Sequence, residues 1–303
     1  MHITEKLNGI IAVMNTPFTA DDGIDQDSIR RYVNYALAGG VVGFLVPALA
    51  AEVYKLSMQE RDEIVATVLQ AVQGRVPVIG GATANTQSER LQIARSLIDL
   101  GCDGVLVALD YEKGTFEKNI CEIADLQPGF LMIQDWDFHG FGIPIDVIAR
   151  LFEEIDVFKC LKVEVVPAGI KYTSVLRATN NRLHVSGGWA GMQMIEALDR
   201  GVDAFMPSIM LGVYNRIYRL HQQGRRDEAR QLFQEFLPIL AFSHQHLDIS
   251  IHFNKRLLQK MGIFTTIHSR QPILPFDKYH ERISDEMIAA AIRLDGRVAE
   301  EKM

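Results

Sequence analysis

The chain has 303 residues, 48% of them hydrophobic and 23% charged, and a formal net charge of −7. This composition is typical of a globular protein with a large core, and a single α/β barrel accommodates such a length. The acidic balance and the absence of any Lys/Arg-rich run disfavour a nucleic-acid partner. No apolar run approaches the roughly 18 residues that would cross a bilayer.

The three cysteines, Cys102, Cys121 and Cys160, are odd in number and widely spaced. Each lies in an apolar context, which predicts buried free thiols rather than disulfides or a metal cluster. The N-terminal stretch lacks the basic region, apolar core and small-residue cleavage site of a secretion signal. We therefore expect a cytoplasmic protein without a membrane partner.

Short apolar runs alternate with segments of helical apolar spacing from Gly9 to about Gln223. Capping boxes at Ser57 and Thr86, each with a glutamate three residues later, predict two of the helix starts. Eight runs predict strands, at 10–14, 42–46, 76–79, 104–108, 130–134, 157–163, 183–186 and 204–206. Eight such units favour a parallel sheet that closes into a barrel.

Two further features bear on the domain organisation. The first strand is followed by Asn15-Thr16-Pro17-Phe18 rather than by the glycine-rich turn of an open dinucleotide-binding sheet. Beyond Gln223 the strand signal stops, and helical patterns run over 227–244, 251–261 and 284–294. We predict a (β/α)8 TIM barrel over residues 1–223 and a C-terminal helical extension over 224–303, packed on the barrel or on a neighbouring subunit.

Active sites of such barrels lie at the C-terminal ends of the strands, and this rule selects among the polar residues. One of the selected side chains stands out, since Phe158, Cys160 and Lys162 share one face by strand alternation while Lys159 lies on the other. Lys162 would then be the last inward residue. A lysine held among apolar neighbours loses ammonium solvation, which favours the neutral, nucleophilic amine. Alternatively, Lys162 merely pairs with a rim carboxylate such as Glu164.

The order and spacing of several short motifs resemble the dihydrodipicolinate synthase and N-acetylneuraminate lyase family of class I aldolases, dehydratases and synthases. The motifs are Thr16-Pro17-Phe18, Glu52 with Leu56-Ser57 and Glu60-Arg61, the loop 80–86, the run 101–106, Leu161-Lys162-Val163-Glu164, and Ser186-Gly187-Gly188. The resemblance covers almost the whole chain. It implies a Schiff base between Lys162 and a pyruvate-like 2-keto acid, no cofactor and no metal, and a homo-oligomer (a dimer or tetramer).

The sequence departs from the family pattern at the residues that carry protons. The threonine pair of the second-strand loop is replaced by Leu49 and Ala50, although backbone N–H groups there remain available for a substrate carboxylate. The tyrosine pair after strand four reads Tyr111-Glu112, which places Glu112 at the position expected to reach a neighbouring subunit. The strand-five tyrosine is also absent.

Counting back from Lys162 places Gln134 at the position of the family's strand-five tyrosine, whereas counting from the following helix places Ile133 there. On the first count Gln134-Asp135 replaces the family's tyrosine and asparagine, and the basic residue that would bind a second carboxylate is missing. These losses argue against dihydrodipicolinate synthase or sialic acid lyase activity. They favour the branch that acts on 2-keto-3-deoxy sugar acids. Gln134 is predicted to orient a substrate hydroxyl rather than transfer protons.

In the predicted mechanism the Lys162 iminium acts as an electron sink while a base removes a proton and water or an aldehyde leaves. The candidate bases are Glu164, Asp135 and Glu112, although Asp135 is equally well explained as a loop cap. The predicted substrate-binding residues are Thr16, Leu49, Ala50, Glu52, Tyr111, Gly187 and Gly188. Of these, Glu52 fits an anchor of its own loop better than a substrate contact.

Two other features receive structural interpretations. Trp189 is expected in core or interface packing, with a position in the pocket wall as the alternative. The group His244, His246, Asp248 and His252 is a poor metal site, because residues two apart in a helix do not share a face. Besides the Schiff-base lyase, three alternatives stay open: a catalytically silent barrel that binds a keto acid as a sensor, another synthase of the same family, and a metal-dependent aldolase or isomerase.

Overall fold

The computed structural model describes residues 3–300, in which eight parallel strands close into a barrel. Each strand pairs with the next one in the chain, and the eighth returns to pair with the first. This confirms the predicted (β/α)8 fold. The strands are β1 (Gly9–Val13), β2 (Gly43–Val46), β3 (Val78–Gly81), β4 (Gly104–Ala108), β5 (Leu131–Asp137), β6 (Phe158–Val165), β7 (His184–Gly187) and β8 (Ala204–Phe205).

A helix follows each strand, and three more helices end the described chain. Both predicted capping boxes are present, at Ser57 and Thr86, because each hydroxyl accepts the N–H of the glutamate that bonds back to it. The helices are α1 (Gln26–Gly39), α2 (Met58–Val72), α3 (Gln87–Leu100), α4 (Thr115–Ala124), α5 (Ile145–Glu154), α6 (Ala168–Ala178), α7 (Met194–Asp199), α8 (Leu211–Gln222), α9 (Arg226–Ser243), α10 (Leu247–Lys260) and α11 (Lys278–Glu300). None of them, within residues 3–300, is long and apolar enough to cross a membrane.

The apolar core has an inner and an outer part. Inward side chains of the strands, such as Ile11, Leu45, Leu106 and Met132, fill the barrel, and a larger shell packs between the strands and the helices. The predicted face of β6 is wrong at its start. Cys160 belongs to the inner cluster but Phe158 to the outer shell, because the pairing of β5 with β6 shifts by one residue there.

The cysteine prediction needs one correction. All three thiols are free, and Cys102 and Cys160 are buried, but Cys121 is exposed. The buried stripe of α4 runs through Phe116 and Ile120, and Cys121 falls one residue past it on the solvent side.

The three last helices cover one side of the barrel. Helix α9 packs on α8, with the rings of Tyr214 and Phe236 edge to face at 4.9 Å. Helix α11 contacts both α8 and α9, and α10 contacts the loop after β2. The division of the chain after residue 223 stays a prediction, and residues 1, 2 and 301–303 of the two predicted ranges lie outside the described part.

A buried ion pair ties α10 to the loop after β2. Glu52 has a left-handed backbone, with φ of 58°, between two short 3₁₀ turns. One of its carboxylate oxygens bonds the Lys255 ammonium, and both side chains are fully buried. The other oxygen accepts from Lys55 Nζ at 3.0 Å and from the Arg270 N–H at 3.2 Å. Glu52 therefore anchors its loop to the C-terminal extension.

Lys255→Met should lower the free energy of unfolding by about 3 kcal/mol, since it leaves a buried carboxylate without its principal partner. Lys55→Met is the matched control, because Lys55 bonds the same carboxylate from a partly exposed position, and we expect a loss of about 1 kcal/mol or less there. Urea unfolding followed by circular dichroism measures both. Equal losses in the two variants would contradict the assigned role of Lys255.

Candidate active site

A small cavity of about 60 Å³ lies at the C-terminal mouth of the barrel. Its walls come from β1, β5, β6, the loops after β2, β7 and β8, and the junction of α9 with α10. Its lining residues are Val13, Ala48, Leu49, Ala50, Gln134, Trp136, Lys162, Glu164, Trp189, Met206, Ser208, His244, Leu247 and Ser250. A larger groove of about 660 Å³ runs along α3, but it lies away from the strand ends.

The strand register explains which polar side chains meet in this cavity. Gln134 of β5, Lys162 of β6 and Ser186 of β7 are direct neighbours across the sheet. Trp136 and Glu164 form the next inward pair along the same two strands, since side chains alternate between faces. The structure therefore brings together three of the predicted catalytic residues, namely Gln134, Lys162 and Glu164.

Glu164 holds the centre of the polar network. One of its oxygens lies 3.2 Å from the Lys162 ammonium and also accepts a hydrogen bond from the Gln134 amide. Its other oxygen accepts from the backbone N–H of Trp189 at 2.8 Å. The side chains of Lys162 and Glu164 are only 8% and 5% exposed. This places a proton acceptor directly beside the amine.

The proposal of Asp135 as a catalytic base is wrong for this geometry. Asp135 follows Gln134 on the strand, so its side chain points outward, away from the cavity. Its carboxylate lies 2.9 Å from the ammonium of Lys171 on α6 and accepts the Ile143 N–H at 2.9 Å. Asp135 thus holds the loop after β5 in place, which is the loop-cap alternative.

The glycine pair after β7 makes room for other groups. A Cβ on Gly188 would lie 1.8 Å from Cγ of Glu164, so only glycine permits the carboxylate to occupy its position. A Cβ on Gly187 would meet the Phe205 ring at 3.0 Å. Neither glycine lines the cavity, so the structure supports them as spacers and not as direct substrate contacts.

Gly188→Ala should destabilise the protein by about 1–3 kcal/mol, because the new methyl group forces Glu164 out of its network. Gly296→Ala is the control, since Gly296 lies in α11 with nothing within 4 Å of an added Cβ. There we expect a gain of about 0.5–1 kcal/mol. Thermal unfolding compares the stabilities of the two variants. Unchanged stability in Gly188→Ala would show that the Glu164 side chain does not pack against the backbone of Gly188.

The loop after β2 lines the cavity as predicted for Leu49 and Ala50. These residues begin a 3₁₀ turn, so their N–H groups have no acceptor within it. Thr16 is not a lining residue. Its fully buried hydroxyl donates to the carbonyl of Ala51 at 2.7 Å, and Asn15 bonds that of Ala50 in the same way. Thr16 supports the loop from behind, and Glu52 does so from the other side.

The residues after β4 lie apart from this cavity. The Tyr111 ring packs on Phe116 with the centroids 5.5 Å apart, and Glu112 is exposed. Neither residue lines the cavity within this chain. Their reach into a neighbouring subunit stays a prediction.

Several lining residues were not predicted from the sequence. Trp136 shares the inward parity of Gln134, so a longer strand five would have revealed it. For Trp189 the structure favours the pocket-wall alternative over core packing, because this residue lines the cavity and its ring stands edge-on to Trp136 at 6.4 Å. His244, Leu247 and Ser250 come from the C-terminal extension, and no local pattern links them to the strand ends.

The histidines near the end of α9 serve separate purposes. His244 lines the cavity, His246 caps α10 by accepting the Asp248 N–H, and Nε2 of His252 bonds the Leu274 carbonyl at 2.9 Å. Within residues 3–300 no group of three or more His, Cys, Asp or Glu side chains is arranged to hold a metal ion. Burial lowers the pKa of His244 to about 4, which keeps its ring neutral at pH 7.

The low pKa of His244 predicts a pH-dependent stability. The unfolded imidazole, with a pKa near 6.5, binds a proton before the folded one does, so the free energy of unfolding falls as the pH drops from 6.5 to 4. His244→Asn should remove this contribution, at most about 3 kcal/mol. His246→Asn is the control, as asparagine also caps helices and His246 is exposed. Urea titrations at several pH values measure the free energy of unfolding of each variant. If this free energy depends on pH in the same way in the wild type and in His244→Asn, the assignment is contradicted.

The family model described as the dihydrodipicolinate synthetase family matches residues 6–291. The chain belongs to this family. It is an enzyme of the lyase type that the family comprises, and the resemblance seen in the sequence motifs is confirmed.

Two curated relatives show the range of named activities. An L-2-keto-3-deoxyarabonate dehydratase from Azospirillum brasilense is 28% identical over 306 residues, which cover 96% of each chain. A 4-hydroxy-tetrahydrodipicolinate synthase from Pelobacter propionicus is 26% identical over 240 residues, covering 76% of this chain and 81% of the relative.

Solved structures share the fold. Dihydrodipicolinate synthase from Rhodopseudomonas palustris superposes with a TM-score of 0.87 at 22% identity, covering 94% of this chain and 98% of the other. A sialic acid aldolase from Ruminococcus gnavus reaches 0.87 at 15% identity, with coverage of 97% and 99%. At these identities the likeness concerns the fold alone.

Proposed function

We propose that this enzyme dehydrates or cleaves a 2-keto-3-deoxy sugar acid through a Schiff base on Lys162. The observation that carries the proposal is the position of the Lys162 amine, buried on the inward face of β6 and 3.2 Å from the carboxylate of Glu164, the next inward residue. An amine with an adjacent proton acceptor is the arrangement that nucleophilic attack on a ketone requires.

The makeup of the cavity supports a sugar acid over the substrates of the named synthases and aldolases. Lys162 is the only lysine or arginine among the lining residues, so nothing there pairs with a second carboxylate. Hydroxyl-bearing and amide side chains, namely Gln134, Ser208 and Ser250, suit a polyhydroxylated chain. The L-2-keto-3-deoxyarabonate dehydratase that matches almost end to end points to the same class.

The chemistry can be written with Lys162 and Glu164 alone. The ammonium of Lys162 passes its proton to Glu164, and the free amine attacks C2 of the keto acid. The C2 oxygen takes one proton from the attacking nitrogen and one back from Glu164 and leaves as water, which gives a positively charged iminium and an ionised Glu164. For dehydration Glu164 then takes a proton from C3, the electron pair moves into an enamine, and the C4 hydroxyl leaves as water with the proton from Glu164. For carbon–carbon cleavage the C4 hydroxyl loses its proton, and the C3–C4 bond breaks instead.

Other groups serve binding in this proposal. Leu49 and Ala50 line the cavity, and their N–H groups, which have no acceptor within the 3₁₀ turn, would supply donors for the substrate carboxylate without any hydroxyl. Gln134 uses one amide hydrogen on Glu164 and keeps its remaining polar atoms for a substrate hydroxyl. Assembly into a homo-oligomer, with Tyr111 and Glu112 near the contact, is part of the proposal.

A keto-acid sensor without turnover is the second candidate. It is favoured by Leu49 and Ala50, which replace a threonine pair in the loop, and by Gln134 at the position where a tyrosine is expected. Such a protein would still form the Schiff base but would turn over no sugar acid. The two candidates therefore differ only after the iminium has formed.

Borohydride reduction in the presence of pyruvate should add the mass of the reduced adduct to Lys162, as read by peptide mass spectrometry. Lys162→Ala should abolish the adduct and turnover of 2-keto-3-deoxyarabonate. Lys159→Ala is the matched control on the same strand, because Lys159 is exposed. An unmodified Lys162 in the wild type would overturn the proposal, whereas an adduct without any turnover would favour the sensor.

Glu164→Gln should leave Schiff-base formation detectable but slow the exchange of pyruvate methyl protons with D₂O by about 10²–10⁴-fold, since the base at C3 is lost. Proton NMR of pyruvate follows this exchange directly. Exchange at the wild-type rate in Glu164→Gln would assign the base to another residue.

A further inference from the structure

His244 is a titratable side chain of the cavity that the steps above leave unused. It lies at the C-terminal end of α9, so it reaches the mouth of the barrel from the extension and not from a strand. Among the described residues that line the cavity, only Lys162, Glu164 and His244 carry an acidic or basic side chain. A third proton-carrying group is therefore within the same small space.

The two ring nitrogens of His244 have different surroundings. Nδ1 lies 2.8 Å from the hydroxyl oxygen of Ser243, which is fully buried and also lies 3.4 Å from the Leu240 carbonyl. If the hydroxyl donates to that carbonyl, Nδ1–H donates to the hydroxyl oxygen. Nε2 then carries the lone pair and has no hydrogen-bond partner within residues 3–300. In this tautomer Nε2 is the nitrogen that is able to accept a proton.

The ring is held in place by its neighbours. It stands edge-on to the Trp189 ring, with centroids 5.7 Å apart and an interplanar angle of 84°. The backbone N–H of Trp189 bonds Glu164, so His244 and Glu164 contact the same residue from the cavity side. Burial keeps the imidazole neutral, so it is able to accept a proton at pH 7.

Dehydration of a five-carbon sugar acid needs more proton transfers than Glu164 provides. Loss of the C3 proton and of the C4 hydroxyl leaves an iminium conjugated with a C3–C4 double bond. A proton must then leave C5, which turns the terminal hydroxymethyl group into an enol. A proton must also be returned to C3 before the enol becomes an aldehyde and water releases the product from Lys162.

We propose that Nε2 of His244 takes the C5 proton from the conjugated iminium and returns it to C3. This inference rests on the proposed dehydratase function. The C5–H bond breaks as a C4–C5 double bond forms, its electrons moving towards the iminium nitrogen; His244 becomes an imidazolium and is neutral again once C3 is protonated. The net result is the transfer of one proton from C5 to C3, without an external oxidant or reductant.

His244→Asn tests the assignment with two substrates. With pyruvate, which has no C4 or C5, the variant should keep both the borohydride adduct and the exchange of methyl protons. With 2-keto-3-deoxyarabonate its turnover should fall about 10²-fold or more, as for the loss of a general base. Borohydride should then trap on Lys162 an adduct lighter by one water than that of the intact substrate, since the reaction stops after the C4 hydroxyl has left. His246→Asn, two residues away, should match the wild type in all four measurements.

The outcomes separate the role of His244 from the Schiff base on Lys162. Turnover in His244→Asn equal to that in His246→Asn overturns the role of His244 while leaving the Schiff base intact. Loss of the pyruvate adduct in the wild type overturns the proposed function itself. If His244→Asn fails to fold, Ser243→Ala replaces it, since it removes only the partner of Nδ1. Reduced turnover with intact pyruvate exchange in Ser243→Ala supports the role, and unchanged turnover overturns it.

Discussion

The ion pair between Glu52 and Lys255 is the constraint on which the rest of the site depends. It joins the loop after β2, which lines the cavity, to helix α10, whose first turn lines it from the other side. A charge pair this deeply buried is costly to desolvate, so apolar packing would serve stability as well or better. The pair instead determines the path of the loop after β2, because it holds Glu52 in its left-handed backbone conformation.

The charged side chains inside the cavity are also paired. Glu164 accepts hydrogen bonds from a backbone N–H and an amide and lies beside Lys162, the only lysine among the described residues that line the cavity. In the proposed reaction a keto acid would bring one negative charge, and iminium formation would attach the positive charge of Lys162 covalently to the substrate. Glu164 would then lie beside a positive charge when it takes up a proton from C3, and Gly188 leaves the space that its carboxylate occupies.

Much of this could be predicted from the printed sequence, because strands and helices leave local periodic signals. The eight strands, both capping boxes and the inward position of Lys162 follow from such signals. The alternation of side chains along β5 would also have excluded Asp135 as a catalytic base, because its neighbour Gln134 points inward. The bulge at the start of β6 and the exposed Cys121 depend on packing between elements, for which no local pattern exists.

The part of the cavity wall that comes from the C-terminal extension could not be predicted from local patterns. His244 and Leu247 lie more than 80 residues after Lys162 in the chain. Their placement has a consequence for biosynthesis. A ribosome finishes all eight strands before it makes α10, so Lys162 lies at an unclosed mouth of the barrel until that helix has been made and has docked. The proposed active site is therefore complete only after α10 has been added to a chain that already holds the whole barrel.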